Sequence, residues 1–247
     1  MRGLWRLMWL ETKIFVREPM GVVGTVGIPV FIFIVLARMV GDVGEARERM
    51  PAFVSRDLPI LGAMFITATT VLSLVTIVAI YREGGILKRL RATPLRPQTI
   101  LTAHVLVKLL FTTITVGLMF LAGRRFYPWD ADVPLVSFGL ALLFSTATII
   151  SFGFVLASIV PTARFAQPIA TLVIYPMLGV SGLFVPVEAW PPAVQTVARL
   201  VPFTYAVSLL RGIWQGEGWT AHLNDVGVLV GMAVVFTAVS AAIFRWE

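Results

Sequence analysis

The side chains that could do chemistry in this chain are few and widely separated. Its 247 residues include two histidines, 13 Asp and Glu residues and no cysteine. The lack of cysteine excludes disulfides and thiolate metal sites. The sequence also has no Gly-Lys dipeptide for a Walker A phosphate loop, no HExxH zinc motif and no GxSxG nucleophile elbow. Catalysis by this chain alone is therefore not indicated, and no cofactor or metal is expected in it.

Hydroxyl side chains are the main polar groups within the apolar stretches. Five of them could face one another across neighbouring helices: Thr69, Ser73, Thr76, Thr112 and Thr115. Hydroxyls at such spacing most often serve packing between membrane helices. The second interpretation is that they form a mildly polar wall along the path of an amphipathic substrate.

Long uncharged runs are the elements that must position these groups. The chain is 58% hydrophobic and only 13% charged, whereas an average soluble domain is about 25% charged. Helices of a soluble core would show one polar face, and the strands of a membrane barrel would alternate polar and apolar residues; these runs do neither. A spanning helix needs about 20 mostly apolar residues. The predicted spans are 19–40, 58–81, 99–123, 134–160, 166–187 and 224–244.

The predicted fold class is thus an all-α integral membrane protein with six transmembrane helices. Six spans place both termini on one side, and Lys and Arg are concentrated in the termini and in the loop at 82–98. Because basic residues favour the cytoplasm, both termini are predicted to be cytoplasmic. The net charge of +7 then reflects topology and anionic lipid headgroups, and no nucleic acid partner is expected.

This topology also limits what the ionisable residues can do together. His104 and His222 are predicted on opposite sides of the membrane, so they cannot share one metal or one proton relay. The spans carry no carboxylate at mid-depth, where ion-coupled carriers usually place one. Neither metal chemistry nor ion coupling is therefore favoured.

Residues 1–18 are predicted to form an amphipathic helix in the cytoplasmic headgroup layer. Its basic and aromatic residues form one stripe when the chain is plotted at 100° per residue. The stripe contains Arg2, Trp5, Arg6, Trp9, Lys13 and Arg17. Basic residues beside tryptophans are typical of the membrane interface. Two interpretations fit: juxtamembrane anchoring alone, or anchoring combined with a docking surface for a partner.

Residues 188–217 are apolar but interrupted by prolines and charges. No stretch among them is long enough to cross a bilayer, so two short re-entrant helices on the outer side are predicted before the last span. The residues assigned to this outer region are Pro186, Glu188, Pro191, Pro202, Thr204 and Tyr205. Two roles fit the pattern: a gate at the outer end of a pathway, or a cap on the helix bundle.

The loop at 82–98 contains more than topology requires. Leu87 and Leu90 are predicted on one side of a short helix, with Gly85 allowing a tight backbone exit and Pro94 ending the helix. Such a rigid amphipathic helix between two spans could transmit a partner's motion into the bundle. The alternative is a loop that only orients the chain.

The same loop resembles that of ABC-2 transporter permeases, which commonly reads E-R-E-x-G-T-L-x-x-L-x-x-T-P. Matching residues are Arg82, Glu83, Gly85, Leu87, Leu90, Thr93 and Pro94. Tyr81 stands at the first glutamate and Ile86 at the threonine. The segment SGLFVPVEAWPP followed by VPFTYAVSLLRG is similar to a second pattern of this family, S-G-x-x-x-P…P…P-x-T-Y.

The resemblance implies a specific assembly in a prokaryotic inner membrane. Two permease subunits, often identical, would pair with two separate ATP-binding-cassette subunits that hold ATP and Mg²⁺ and drive export. The loop would carry the coupling element that docks into the ATPase, with Lys88, Arg89 and Arg91 beside the matched residues. The uncharged spans favour a hydrophobic or amphipathic substrate. The competing hypotheses are an ion-coupled or stand-alone carrier, and a membrane enzyme or scaffold.

Overall fold

The computed structural model describes residues 2–17, 19–41, 52–85, 97–126 and 134–243. Every regular element within these ranges is a helix, which confirms the predicted all-helical class. The helices are α1 (Arg2–Arg17), α2 (Pro19–Val22), α3 (Ile28–Gly41), α4 (Ala52–Glu83), α5 (Pro97–Phe126), α6 (Leu135–Ile159), α7 (Ala163–Val180), α8 (Pro192–Ala198), α9 (Pro202–Trp214) and α10 (Leu223–Ile243).

A π-helical turn, Val23–Gly27, joins α2 to α3. Pro29 lies just beyond it. Proline lacks a backbone N–H, and its ring clashes with the carbonyl four residues earlier, which is Thr25 inside the turn. The proline thus explains why regular α-helical hydrogen bonding is interrupted at this point.

Four helical segments in the described ranges are long and apolar enough to cross a membrane: Pro59–Glu83, Thr102–Met119, Leu135–Ile159 and Trp219–Ile243. The pair α8 and α9, bent by 82°, could add a fifth as a broken span or form a re-entrant loop. The stretch predicted as a span at 19–40 is helical but divided by the π turn. In the stretch predicted at 166–187 the helix contains Pro168 and Pro176 and ends at Val180. The six-span layout therefore stays a prediction.

Helix α4 lies at the centre of the bundle and packs against α3, α5, α6 and α7. Many of its apolar side chains, among them Ile60, Met64 and Leu74, are fully buried. Hydroxyls join it to its neighbours: Thr67 Oγ1 lies 3.0 Å from Thr146 Oγ1 on α6. One continuous central helix, which ends at Glu83, therefore contacts several other helices of the bundle.

Candidate functional site

Helix α4 ends at the Gly84-Gly85 pair that the sequence singles out. The Gly84 N–H donates to the Ile80 carbonyl at 2.9 Å, and the Gly85 N–H donates to the Arg82 carbonyl at 3.1 Å. Gly85 has a φ of +64°, a left-handed conformation that glycine adopts at little cost when it closes a helix. Gly85 thus has the kind of conformation that the predicted tight backbone exit requires, and the path of the chain beyond it stays a prediction.

Arg82 binds the end of α6 through its guanidinium group. Its Nη1 donates to the carbonyls of Ala157 at 3.0 Å and Ser158 at 3.3 Å, and its Nη2 donates to the carbonyl of Val160. The last carbonyls of a helix have no partners within that helix and carry partial negative charge. A planar, fork-shaped cation suits several of them at once, so Arg82 caps α6 from a distance of about 75 residues in sequence.

Glu83 binds the start of the next helix. Its Oε2 accepts a hydrogen bond from the Ala163 backbone N–H at 2.6 Å. Thr162 occupies the N-cap position of α7, but its side chain makes no capping hydrogen bond. Since the first N–H groups of a helix are unpaired and attract negative charge, Glu83 acts as the cap that Thr162 does not provide.

Tyr81 contacts a third helix on the other side of α4. Its hydroxyl lies 3.1 Å from His104 Nε2 on α5, and His104 Nδ1 lies 3.2 Å from Glu11 Oε2 on α1. Lys108, one turn beyond His104, donates to Ser73 Oγ at 2.8 Å and lies over the Phe15 ring at 4.6 Å. A buried polar network therefore joins α1, α4 and α5.

Glu11 is the member of this network that sequence reasoning missed. The signal was present, however, because at 100° per residue Glu11 lies about half a turn from the basic stripe. It shares its face with Phe15, and both are half-buried against α5.

The attachment of α1 is expected to depend on pH through Glu11. Burial raises the pKa of Glu11 above its ordinary value of 4.5, and the Lys108 ammonium opposes this. The docked helix thus holds a proton more tightly than a detached one, so attachment should weaken as pH rises through the raised pKa and strengthen as pH falls towards 4.5. Amide hydrogen exchange of residues 2–17, followed at several pH values in the bilayer-reconstituted chain, measures how strongly α1 is attached.

Glu11→Gln is the matched control for that experiment, because it keeps the size and hydrogen-bonding capacity of the side chain but cannot ionise. After correction for intrinsic exchange, the pH dependence should be absent from this variant. An equal pH dependence in both proteins would assign the effect to His104, Tyr81 or Lys108 instead.

The other predicted site residues fall into separate places. On α1, Trp5, Arg6, Trp9, Lys13 and Arg17 are exposed, as an interfacial stripe requires. Seven of the predicted coupling residues lie outside the described residues: Leu87, Lys88, Arg89, Leu90, Arg91, Thr93 and Pro94. Their docking role, and that of Arg82, Glu83 and Gly85, stays a prediction.

The five hydroxyls of the predicted pathway divide into two groups. Thr112 and Thr115 are fully buried, with Thr112 Oγ1 3.4 Å from Thr70 Oγ1 and Thr115 bonded to the Phe111 carbonyl at 2.7 Å. These contacts favour the packing interpretation for the α5 pair. On α4, Ser73 accepts from Lys108 as described above and Thr76 bonds to its own backbone, whereas Thr69 lines a cavity.

That cavity lies between α3, α4 and α7, beside the π turn. Its volume is about 310 Å³, and its walls are mostly apolar, including Ile28, Phe33 and Phe65. Hydroxyls are contributed by Thr69 and by Tyr175. An apolar cavity with two hydroxyl groups suits a ligand with a hydrocarbon body and a hydrogen-bonding group.

The outer region forms a second cavity of about 420 Å³, here called the α9 pocket. Pro186, Glu188, Thr204 and Tyr205 line it, whereas Pro191 is exposed and Pro202 is buried at the start of α9. The Thr204 hydroxyl donates to the Ala198 carbonyl at 2.7 Å and the Tyr205 hydroxyl to the Arg199 carbonyl at 2.8 Å. These two side chains thus hold the bend between α8 and α9.

The wall of the α9 pocket contains a histidine between two carboxylates. His222 Nδ1 lies 2.8 Å from Asp225 Oδ2, and His222 Nε2 lies 2.8 Å from Glu217 Oε2. Ser208 on α9 also donates to Asp225, at 2.8 Å. Each ring nitrogen of His222 therefore has a carboxylate oxygen as its partner, an arrangement that suits a doubly protonated imidazole, because ionised carboxylates only accept hydrogen bonds. Sequence reasoning missed this cluster, although His222 and Asp225 are separated by one helical turn.

Comparisons with known proteins agree with this architecture. The family model described as "ABC-2 type transporter" matches residues 2–214. The chain is 28% identical over 170 residues to inner membrane transport permease YhhJ of Escherichia coli K12, covering 66% of the chain and 44% of the relative. It is 34% identical over 95 residues to nodulation protein J of Rhizobium leguminosarum bv. viciae, covering 38% of the chain and 37% of the relative.

The matched part of the chain thus spans less than half the length of either relative. No solved structure matches the chain. The family model nevertheless covers most of the sequence, from α1 through α9, and includes both the Arg82-Glu83 motif and the segment at 181–212. The chain belongs to the ABC-2 type transporter family.

Proposed function

We propose that this chain is the membrane-spanning permease subunit of an exporter that is driven by a separate ATP-binding-cassette ATPase. The observation that carries the proposal is the Arg82-Glu83-Gly84-Gly85 motif, which lies where one continuous central helix ends and contacts the ends of α6 and α7. A force applied to the loop beyond Gly85 would act on three helices at once. The family match over residues 2–214 supports the same assignment.

The assembly is proposed to contain two such permease subunits, identical to each other, and two ATPase subunits. ATP and Mg²⁺ are held by the ATPase, because this sequence lacks a phosphate-binding loop. The location is a prokaryotic inner membrane, with both termini cytoplasmic, as the distribution of Lys and Arg predicts. The similarity to YhhJ, an inner membrane transport permease, supports both the location and the transport activity.

The substrate is proposed to be hydrophobic or amphipathic, such as a lipid, a lipid-like metabolite or an apolar drug. The cavity between α3, α4 and α7 supports this class, since it offers apolar walls and the hydroxyls of Thr69 and Tyr175. Buried ionisable residues within the described spans are His104 and Lys108, neither of which is a carboxylate. An ion-coupled carrier would need a buried, ion-binding carboxylate at mid-depth.

Co-expression with a candidate ATP-binding-cassette ATPase from the same genome is expected to yield a stable complex after detergent extraction. The physical reason is that a coupling element must remain docked through repeated cycles of hydrolysis. Affinity purification of the tagged permease, followed by an ATPase assay of the eluate, measures the result.

An ATPase whose Walker A lysine is replaced is the matched control, because it should co-purify equally but hydrolyse no ATP. An ATPase that never co-purifies, across several detergents, would contradict the proposed function. Substrate flux into liposomes that contain only this chain would favour the stand-alone carrier, and turnover of a bound substrate would favour the enzyme.

A further inference from the structure

Three consecutive residues at the end of α4 each bind a different neighbouring helix. Tyr81 faces α5, Arg82 binds the last carbonyls of α6, and Glu83 binds the first N–H of α7. Successive residues of a helix point about 100° apart, so three in a row reach around more than half of its circumference. The end of α4 is therefore a junction of four helices.

Arg82 and Glu83 also account for how the turn between α6 and α7 is stabilised. Val160 leaves α6 in an extended conformation with ψ of 126°, and the Thr162 side chain does not cap α7. The free helix ends on both sides of this short turn are instead bonded by side chains of α4. Displacement of the end of α4 must then either carry the turn with it or break these bonds.

Resting on the proposed function, we propose that Arg82 and Glu83 are positioning residues. They fix the turn at 160–162 to the end of α4, so that motion of the loop beyond Gly85 moves α6 and α7 together with α4. Their role is to transmit motion within this chain, rather than to form charged contacts with the ATPase. The hydrogen bonds of both side chains support this, because the guanidinium and one carboxylate oxygen are already engaged by groups of the same chain.

A substitution pair at Glu83 separates the two roles. Glu83→Gln keeps a carbonyl oxygen that can accept from the Ala163 N–H, but it removes the charge that an ATPase contact would need. Glu83→Ala removes both the oxygen and the charge.

A labelling site can be introduced at an exposed position on α7, Gln167. Because the chain has no cysteine, Gln167→Cys provides the single reactive thiol of this chain in every variant.

The experiment uses the permease in complex with its co-purifying ATPase, reconstituted in nanodiscs. The labelling rate of Gln167→Cys by a membrane-impermeant maleimide is compared with and without vanadate-trapped nucleotide. In the otherwise unmodified chain and in Glu83→Gln, the rate is expected to change on trapping. In Glu83→Ala this nucleotide-dependent change should be lost, while the ATPase stays bound and continues to hydrolyse ATP.

Arg82 offers a second and independent pair. Arg82→Lys keeps the positive charge, but a single ammonium cannot reproduce a planar fork that reaches the carbonyls of three residues. Arg82→Lys and Arg82→Ala should therefore both lose the nucleotide-dependent change. If the Arg82 variants fail to fold, the Glu83 pair still decides the question.

Three results would overturn the inference. Glu83→Gln and Glu83→Ala could both lose the bound ATPase, which would make Glu83 a direct charged contact and leave the proposed function intact. Glu83→Ala could keep the nucleotide-dependent change, which would remove its positioning role. Finally, if no ATPase co-purifies with the unmodified chain, the proposed function fails first and this inference fails with it.

Discussion

Replacement of Gly153 by valine is expected to destabilise the helix bundle more than the same replacement at most other glycines. A Cβ at Gly153 would lie 2.8 Å from Val71 Cγ1 and 3.5 Å from Leu74 Cδ2 on α4. Val71 and Leu74 are both fully buried at the centre of the molecule, so they have little room to move. Overpacking of this kind typically costs about 1–3 kcal/mol.

Gly139→Val is the matched control, because it lies on the same helix, α6, and a Cβ there meets nothing within 4 Å. Both substitutions change intrinsic helix propensity equally. Thermal unfolding in detergent, followed by the fluorescence of the chain's seven tryptophans, should show a lower midpoint for Gly153→Val than for Gly139→Val. Equal midpoints would mean that α4 and α6 are not in close contact at this level.

Gly212→Ala is expected to disrupt the wall of the α9 pocket. A Cβ at Gly212 would overlap the imidazole of His222, with Nε2 at only 1.7 Å. Because the ring is held between Asp225 and Glu217, it cannot move aside without losing these partners. Breaking hydrogen bonds to charged groups in a half-buried site costs about 1–3 kcal/mol, so the unfolding midpoint should fall.

A double substitution tests this explanation. If the clash with the ring is the cause, Gly212→Ala should cost little once His222→Ala has removed the imidazole, so the two effects would be strongly non-additive. Gly231→Ala on α10, where a Cβ meets nothing within 4 Å, provides the neutral control. Additive effects of Gly212→Ala and His222→Ala would contradict the described position of the ring.

The sequence alone anticipated most local features of the α4 junction. The glycine pair predicted the exit from α4, because Gly85 needs no partner beyond its own backbone to adopt a left-handed φ. The motif also drew attention to Arg82 and Glu83. It did not predict what they bind, because their partners at Ala157 and Ala163 are 75 and 80 residues away.

The hydroxyl residues show even more clearly the difference between what the sequence predicts and what only the packing of the helices decides. Their presence in the apolar runs was plain from the sequence, but which of them face a neighbour was not. In a soluble helix, the polar face reveals which side is exposed. A helix in a bilayer is apolar on every side, so only the packing decided these positions: Thr112 and Thr115 are buried where α5 packs in the bundle, and Thr69 lines the cavity between α3, α4 and α7.

What the sequence determined by itself is the class of this protein, since the length and hydropathy of a run are local properties that decide whether it suits a bilayer. It also determined the amphipathic stripe of α1 and the end of α4 at its glycine pair. The tertiary structure decided which distant groups meet: Glu11 with His104, Arg82 and Glu83 with the ends of α6 and α7, and His222 with Gly212. These contacts depend on how helices pack, and no local pattern of residues specifies that packing.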